Sequence, residues 1–135
     1  MKKLLSVLMV AVFALSLTVP AFAANSSVKK KTNSEFGTLT GELYGTIEVG
    51  RKEMIYSTST TKVASRLYAS VDIVDYYTGA LLDTDAQPVK YNATYNGYYW
   101  ECHNASINAK KLSGFGAHEA RGATSLVVYT TVTNI

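Results

Sequence analysis

Strict alternation of apolar and polar residues is the feature that most limits what this chain can fold into. Between residues 37 and 50, one parity carries apolar side chains or glycine: Leu39, Gly41, Leu43, Gly45, Ile47 and Val49. Between residues 65 and 75 the pattern returns, with one parity formed by Leu67, Ala69, Val71 and Ile73. Because successive side chains of a β-strand point to opposite faces, this period of two predicts two half-buried strands. The first is expected to turn at Gly50 and to pair with a strand over residues 53–60.

Turn signals divide the remainder of the chain into short segments. Asn96-Gly97 predicts a hairpin turn between strands over residues 89–94 and 98–105, and Gly122 predicts the turn of a last hairpin. A short return strand is expected at residues 80–83, and residues 60–67 suit a helical turn. About seven or eight short strands, spaced roughly 8–12 residues apart, predict an all-β fold. The expected architecture is a single small antiparallel β-sandwich, with a small β-barrel as the alternative.

The N-terminus has the three parts of a secretory signal peptide. Met1-Lys2-Lys3 is a positive start, residues 4–19 are largely apolar, and Ala21-Phe22-Ala23 after Pro20 suits signal peptidase. An uncleaved anchor is the alternative, since about 20 residues can span a bilayer. The Ala-Phe-Ala site favours cleavage near Ala23, after a signal helix over residues 1–23. We therefore expect a secreted protein, exported by the general secretory route without a stable membrane anchor. The Lys-Lys start and the compact apolar region are typical of a bacterial signal peptide.

The predicted organisation explains the basic character of the whole chain. A flexible polar leader is expected over residues 24–36 and the β-sandwich domain over residues 37–135. The chain has 13 basic and 10 acidic residues, but five of the basic ones are Lys2, Lys3 and the run at residues 29–31. From residue 32 onward the acidic residues are in excess by two. The sequence therefore gives no support for a nucleic-acid-binding face; the three-lysine run suits either solvent or an anionic surface.

Few residues offer catalytic chemistry. Cys102 is the single cysteine, so a disulfide framework is excluded, and His103 and His118 are the two histidines. On a strand, Cys102 and His103 point to opposite faces, which leaves His118 as the one partner that a nucleophilic Cys102 can have. No protease signature surrounds the cysteine. We therefore expect no enzyme and no catalytic residues, and a Cys/His-dependent enzyme is only a distant alternative.

Metal ligands are equally sparse. Glu101 and His103 share one strand face, and Asp83 and Asp85 flank Thr84 like a fragment of a calcium loop. Zinc needs three or four converging ligands, and a calcium loop needs further oxygens and a glycine. The sequence therefore predicts no metal site and no cofactor.

Aromatic residues supply the strongest functional signal. The candidate ligand-binding cluster lies around the Asn-Gly dipeptide and consists of Tyr95, Tyr98, Tyr99 and Trp100. Flat, amphipathic rings on an exposed surface bind sugar faces and proteins at little entropic cost. The alternative is that Trp100 and many of the tyrosines form the core and its rim, because β-sheets favour tyrosine.

These observations predict a small secreted, non-catalytic β-sandwich protein. Its expected role is binding at the cell surface or in the medium, with a glycan, a cell-wall polymer or a protein as ligand. The alternative is a secreted bacteriocin-like effector that acts on other cells.

Overall fold

The computed structural model describes residues 25–135, and the predicted signal peptide lies outside these residues. The described part of the chain contains seven strands and one short helix: β1 (Asn25–Asn33), β2 (Gly37–Glu48), β3 (Arg51–Asp75), β4 (Leu81–Ala86), β5 (Lys90–Glu101), α1 (Ala105–Asn108), β6 (Leu112–Arg121) and β7 (Ser125–Val132). No helix in residues 25–135 has the length and apolar character needed to cross a membrane.

All strand pairs are antiparallel and belong to one sheet. Its path runs β1-β2-β3-β6-β7, and β4 and β5 also pair with β3. The sheet curls until it nearly closes into a barrel. At the closure, the Glu35 carboxylate accepts hydrogen bonds from the backbone N–H groups of Ala123, at 2.7 Å, and Thr124, at 2.8 Å. The predicted all-β antiparallel fold is confirmed, and the single sheet has nearly the closure of a small barrel.

Strand β3 organises the sheet because it is long enough to serve two sets of neighbours. Along one edge, β2 pairs with its first half and β6 with its second half; along the other, β5 is followed by β4. Its pairing with β5 shifts register between Ser59 and Ala64. The helical turn expected at residues 60–67 is therefore wrong. Pairing of Thr60 with Leu39 and of Ala64 with Ala93 keeps this segment extended.

The Asn-Gly dipeptide does not form a turn. Strand β5 continues through it, with Asn96 opposite Thr58 and Gly97 opposite Ser57. The Asn96 side chain is buried, and its Nδ2 donates to the carbonyls of Leu67, at 3.2 Å, and Pro88, at 3.0 Å. These tertiary hydrogen bonds override the local preference for a hairpin turn, so the prediction of two strands here is corrected to one.

The stretch predicted as a flexible leader is part of the sheet. All nine residues of β1 pair with β2, from Asn25 opposite Gly45 to Asn33 opposite Gly37. Within β1 the three-lysine run at residues 29–31 is exposed. Lysines on an outer strand discourage pairing with a further strand. The polar composition that predicts a leader is therefore that of an edge strand.

The barrel interior holds two apolar clusters. The larger contains Leu43, Met54, Tyr56, Ala69, Val71, Ile73, Trp100, Cys102, Leu112 and Val132. The smaller contains Phe36, Leu39, Ala64, Leu67, Ala120, Leu126 and Val128. The alternating residues predicted to face inward on β2 and β3 are thus confirmed as core from position 39 to 45 and from 67 to 73. Ile47 and Val49 are exposed instead, because they lie at the turn of the β2–β3 hairpin, beyond the packed interior.

Candidate functional site

An open cleft of about 790 Å³ lies beside β4 and β5. Both strands pair with the same edge of β3, one after the other, and Pro88 and Val89 in the segment between them also line the cleft. The four residues of the predicted aromatic cluster all line this cleft: Tyr95, Tyr98, Tyr99 and Trp100. The structure therefore brings the predicted site residues together in one concave surface. Their surroundings differ, however, and so do the roles that they can take.

Trp100 belongs mainly to the core. Its side chain is only 6% exposed and packs in the larger apolar cluster beside Tyr56 and Cys102. The indole Nε1 donates to Oδ2 of Asp83 at 2.8 Å. Because this nitrogen is a donor only, the bond defines the Asp83 oxygen as an acceptor. Trp100 thus lines the cleft with only a small exposed fraction of its side chain, and its ring is not free to stack on a ligand.

Tyr98 and Tyr99 form the accessible aromatic surface of the cleft. Both are half-buried, and their ring centroids lie 6.2 Å apart with 34° between the ring planes. On an ideal strand, consecutive side chains point to opposite faces. The close approach of these two rings therefore means that they lie side by side along β5 despite this alternation. Tyr98 also meets Tyr56 edge to face, with centroids 6.3 Å apart, which fixes its ring against the core.

Tyr95 is the fourth aromatic residue of the cleft, and it packs beside Gly97. Its ring folds across Gly97, where a Cβ would lie 2.4 Å from the phenol oxygen of Tyr95. Burial raises the pKa of the Tyr95 phenol, and the charge of Glu42 adds to the effect. Gly97 is thus required for packing, since any side chain at this position would displace the Tyr95 ring.

Two aspartates of β4 face the aromatic residues. Asp85 Oδ2 accepts a hydrogen bond of 2.7 Å from the Tyr56 hydroxyl, and Asp83 Oδ1 accepts one of 2.9 Å from the backbone N–H of Thr84. Burial, followed by the bond to Asp85, holds the pKa of Tyr56 far above its usual range, so the phenol remains a donor. The carboxylates therefore connect β4 to the tips of two core rings and line the cleft with acceptors.

At the far end of the cleft, Glu101 is part of a charged group. Its Oε1 lies 2.7 Å from the Arg51 guanidinium, and its Oε2 lies 3.8 Å from His103 Nε2. Nearby, burial raises the pKa of Glu53, and repulsion from Glu48 and Glu101 raises it further. Residues 25–135 contain no group of three or more histidine, cysteine or acidic side chains arranged to hold a metal ion.

Cys102 and His118 engage other partners. The Cys102 thiol is buried in the larger apolar cluster and donates to the Asn104 carbonyl at 3.3 Å. The His118 ring is fully buried, with Nδ1 3.2 Å from Oγ1 of Thr58 and Nε2 2.8 Å from Oγ1 of Thr130. Burial lowers the pKa of His118 to about 4. The hydroxyls thus occupy both ring nitrogens that a Cys–His pair would need.

The sequence singles out the aromatic residues of the cleft but not the aspartates that meet them. Asp83 and Asp85 suggest a calcium-loop fragment, whereas in the structure they bond to the indole of Trp100 and the phenol of Tyr56. Their alternation along β4 was the available signal, since residues two apart share a strand face. Comparisons with known protein families, with curated proteins and with solved structures find no match for this chain.

Proposed function

We propose that the mature chain is an exported, non-catalytic binding protein whose cleft takes a carbohydrate. One observation carries the proposal: the paired rings of Tyr98 and Tyr99 share a single open cleft with the carboxylates of Asp83 and Asp85. The apolar faces of sugar rings pack against aromatic side chains, and sugar hydroxyls donate to carboxylate oxygens. Both parts of that chemistry line the same surface.

The dimensions of the cleft agree with this proposal. Small-molecule sites typically enclose about 300–1,000 Å³ and combine an apolar lining with a few placed polar groups. A cleft of about 790 Å³ has room for a short oligosaccharide. Its open form suits a segment of a polymer, because the chain ends of a polysaccharide can extend beyond the protein.

The N-terminal sequence supports the proposed location of the protein. The positive start, apolar run and Ala-Phe-Ala site of residues 1–23 are those of a cleavable export signal. We propose that the mature protein acts at the cell surface or in the medium, where wall polymers and free glycans are the abundant carbohydrates.

The test is binding of purified mature protein to a panel of oligosaccharides. The single tryptophan, Trp100, lines the cleft, so its fluorescence reports on an occupant directly. Tyr99→Ala is expected to weaken binding by about tenfold, the loss that corresponds to about 1.4 kcal/mol of ring contact. Tyr129→Ala is the matched control, because Tyr129 is 71% exposed on β7 and does not line the cleft.

Two results would contradict the proposal. The first is that no oligosaccharide of the panel changes the Trp100 emission or gives a heat of binding. The second is that Tyr99→Ala and Tyr129→Ala bind equally well while circular dichroism shows that both variants are folded.

A further inference from the structure

We infer that the cleft selects carbohydrates that carry free amino groups over their N-acetylated and acidic counterparts. This inference rests on the proposed function and names the ligand class of the same site. The cleft with its tyrosine rings defines the site, and the unbalanced charge along its wall defines the selectivity.

The charges that line the cleft are mostly negative. Three carboxylates face it, those of Asp83, Asp85 and Glu101, against the single lysine Lys90 and the imidazole of His103. Glu101 is compensated, because Arg51 forms an ion pair with it at 2.7 Å. Lys90 offsets one of the two remaining negative charges, so a bound ligand meets a lining with a small net negative charge that lies on the two aspartates.

The hydrogen bonds of Asp83 and Asp85 do not cancel their charge. In residues 25–135 these carboxylates accept from an indole N–H, a backbone N–H and a phenol O–H, all of which are neutral donors. Trp100 and Tyr56 each hold one carboxylate oxygen in place without neutralising it, and both aspartates line the cleft. An oriented carboxylate with a neutral donor set is a ready partner for an ammonium group.

The neighbouring rings favour the same ligand. The faces of Tyr98 and Tyr99 carry negative electrostatic potential, which attracts a cation held above them. An amino sugar can place its ring on the tyrosines and its ammonium group toward the aspartates. A uronic acid in the same position would bring its carboxylate against like charges, and an N-acetyl group would bring no charge.

The experiment compares three oligosaccharides of equal length made of glucosamine, N-acetylglucosamine or galacturonic acid. Binding is measured at low salt and at a pH where the sugar amines are protonated. The glucosamine oligomer is expected to bind about tenfold more tightly than the N-acetylated one, and the acidic one most weakly. Added salt is expected to reduce this difference, because it screens charges in an open cleft.

Isosteric variants identify the residues responsible. The double variant Asp83→Asn with Asp85→Asn keeps an oxygen acceptor for Trp100 and Tyr56 but removes both charges. It is expected to lose the preference for the amine and to keep its affinity for the N-acetylated oligomer. Asp72→Asn is the matched control, because Asp72 is exposed, bonds to Thr84 and does not line the cleft.

The outcomes separate this inference from the function on which it rests. Equal binding of the amine and N-acetyl oligomers, or a preference that survives in the double variant, overturns the inference and leaves carbohydrate binding intact. Failure of all three oligomers while another sugar of the panel binds overturns the inference alone, and failure of the whole panel overturns the proposed function. If a polyamine without sugar rings binds as tightly as the glucosamine oligomer, the cleft recognises the cation alone and the inference is again wrong.

Discussion

Nε2 of His118 lies 2.8 Å from Oγ1 of Thr130 inside the barrel. The opposite ring nitrogen faces Thr58, whose hydroxyl has the carbonyl of Tyr68 as its acceptor at 3.3 Å. Thr58 therefore accepts from Nδ1–H, and Nε2 is left to accept from the Thr130 hydroxyl. This pattern assigns His118 as the neutral Nδ1–H tautomer, with both ring nitrogens satisfied by buried threonine hydroxyls.

The buried imidazole predicts a loss of stability in mild acid. Burial lowers the pKa of His118 to about 4 in the folded protein, whereas a histidine in the unfolded chain has a pKa of about 6.5. The unfolded state thus binds more protons between these values. The stabilisation is complete above pH 6.5 and is lost as the pH falls toward 4, by about 3 kcal/mol in total.

Urea unfolding at several pH values measures this effect, and NMR of the imidazole identifies its source. We expect His118 to keep the spectrum of the neutral Nδ1–H tautomer down to about pH 4. Protonation of the folded protein near pH 6.5, or a free energy of unfolding that stays flat from pH 6.5 to 4, would show that the ring is accessible to solvent.

The packing of the His118 ring also explains why position 41 is a glycine. A Cβ built on Gly41 would lie 2.5 Å from Cγ and Cδ2 of His118 and 2.7 Å from Cγ2 of Val128. Since these atoms are packed inside the barrel, Gly41→Ala is expected to destabilise the protein by about 2 kcal/mol. The midpoint of urea unfolding measures the loss.

A double-mutant cycle tests the stated cause. If the clash with the ring is responsible, adding His118→Ala should make Gly41→Ala cost much less than it does alone. Additive effects of the two substitutions would mean that Val128 or the Gly41 backbone, and not the His118 ring, causes the loss.

The hydroxyl of Tyr56 offers a measure of how firmly β4 is held. Tyr56→Phe removes the 2.7 Å bond to Asp85 and leaves the buried ring in place. We expect a loss of about 1 kcal/mol, less than is usual for a bond to a charged group, because Asp85 borders the open cleft and can be solvated. Tyr129→Phe, on the exposed face of β7, should leave the urea midpoint unchanged. Equal midpoints for the two variants would show that the bond contributes nothing to stability.

Sequence periodicity predicts the parts of this fold that depend on local information. Alternation from Leu39 to Gly45 and from Leu67 to Ile73 correctly predicts the inward faces of β2 and β3. Whether two neighbouring extended segments form one strand or two depends instead on hydrogen-bond partners that are distant in the chain. The Asn-Gly dipeptide is extended because Asn96 reaches the Leu67 carbonyl, 29 residues away, and no local preference encodes that bond.

The candidate site divides in the same way. The aromatic residues from Tyr95 to Trp100 are close in sequence, so their grouping is visible without a structure. The partner of the Trp100 indole is 17 residues away, and the partner of His118 Nδ1 is 60 residues away. Such pairs depend on how the whole sheet curls, which no short segment of the sequence encodes. Closeness in sequence therefore predicts which rings are grouped but not which of them the core retains.

The last prediction concerns the end of β3, where Asp75 begins the turn into β4. Lys110 Nζ lies 2.9 Å from Oδ2 of Asp75, and Oδ1 accepts from the backbone N–H groups of Tyr77, at 3.0 Å, and Thr78, at 3.1 Å. The bond to Lys110, followed by that to Thr78, holds the pKa of Asp75 at about 2. Because this pKa is below its unfolded value, the associated stability is present above about pH 4 and is lost as the pH falls toward 2.

Replacing Lys110 by methionine removes the largest cause and keeps most of the apolar stem. NMR titration of the Asp75 carboxyl should then show its pKa moving upward toward the usual range, while the bonds from Tyr77 and Thr78 keep it from reaching that range. Lys111→Met is the matched control, since Lys111 lies over the rings of Tyr76 and Tyr77, 5.8 and 5.9 Å from their centroids. An Asp75 pKa that does not change in Lys110→Met would assign the whole effect to the turn backbone, and the ion pair would then have no part in holding the end of β3.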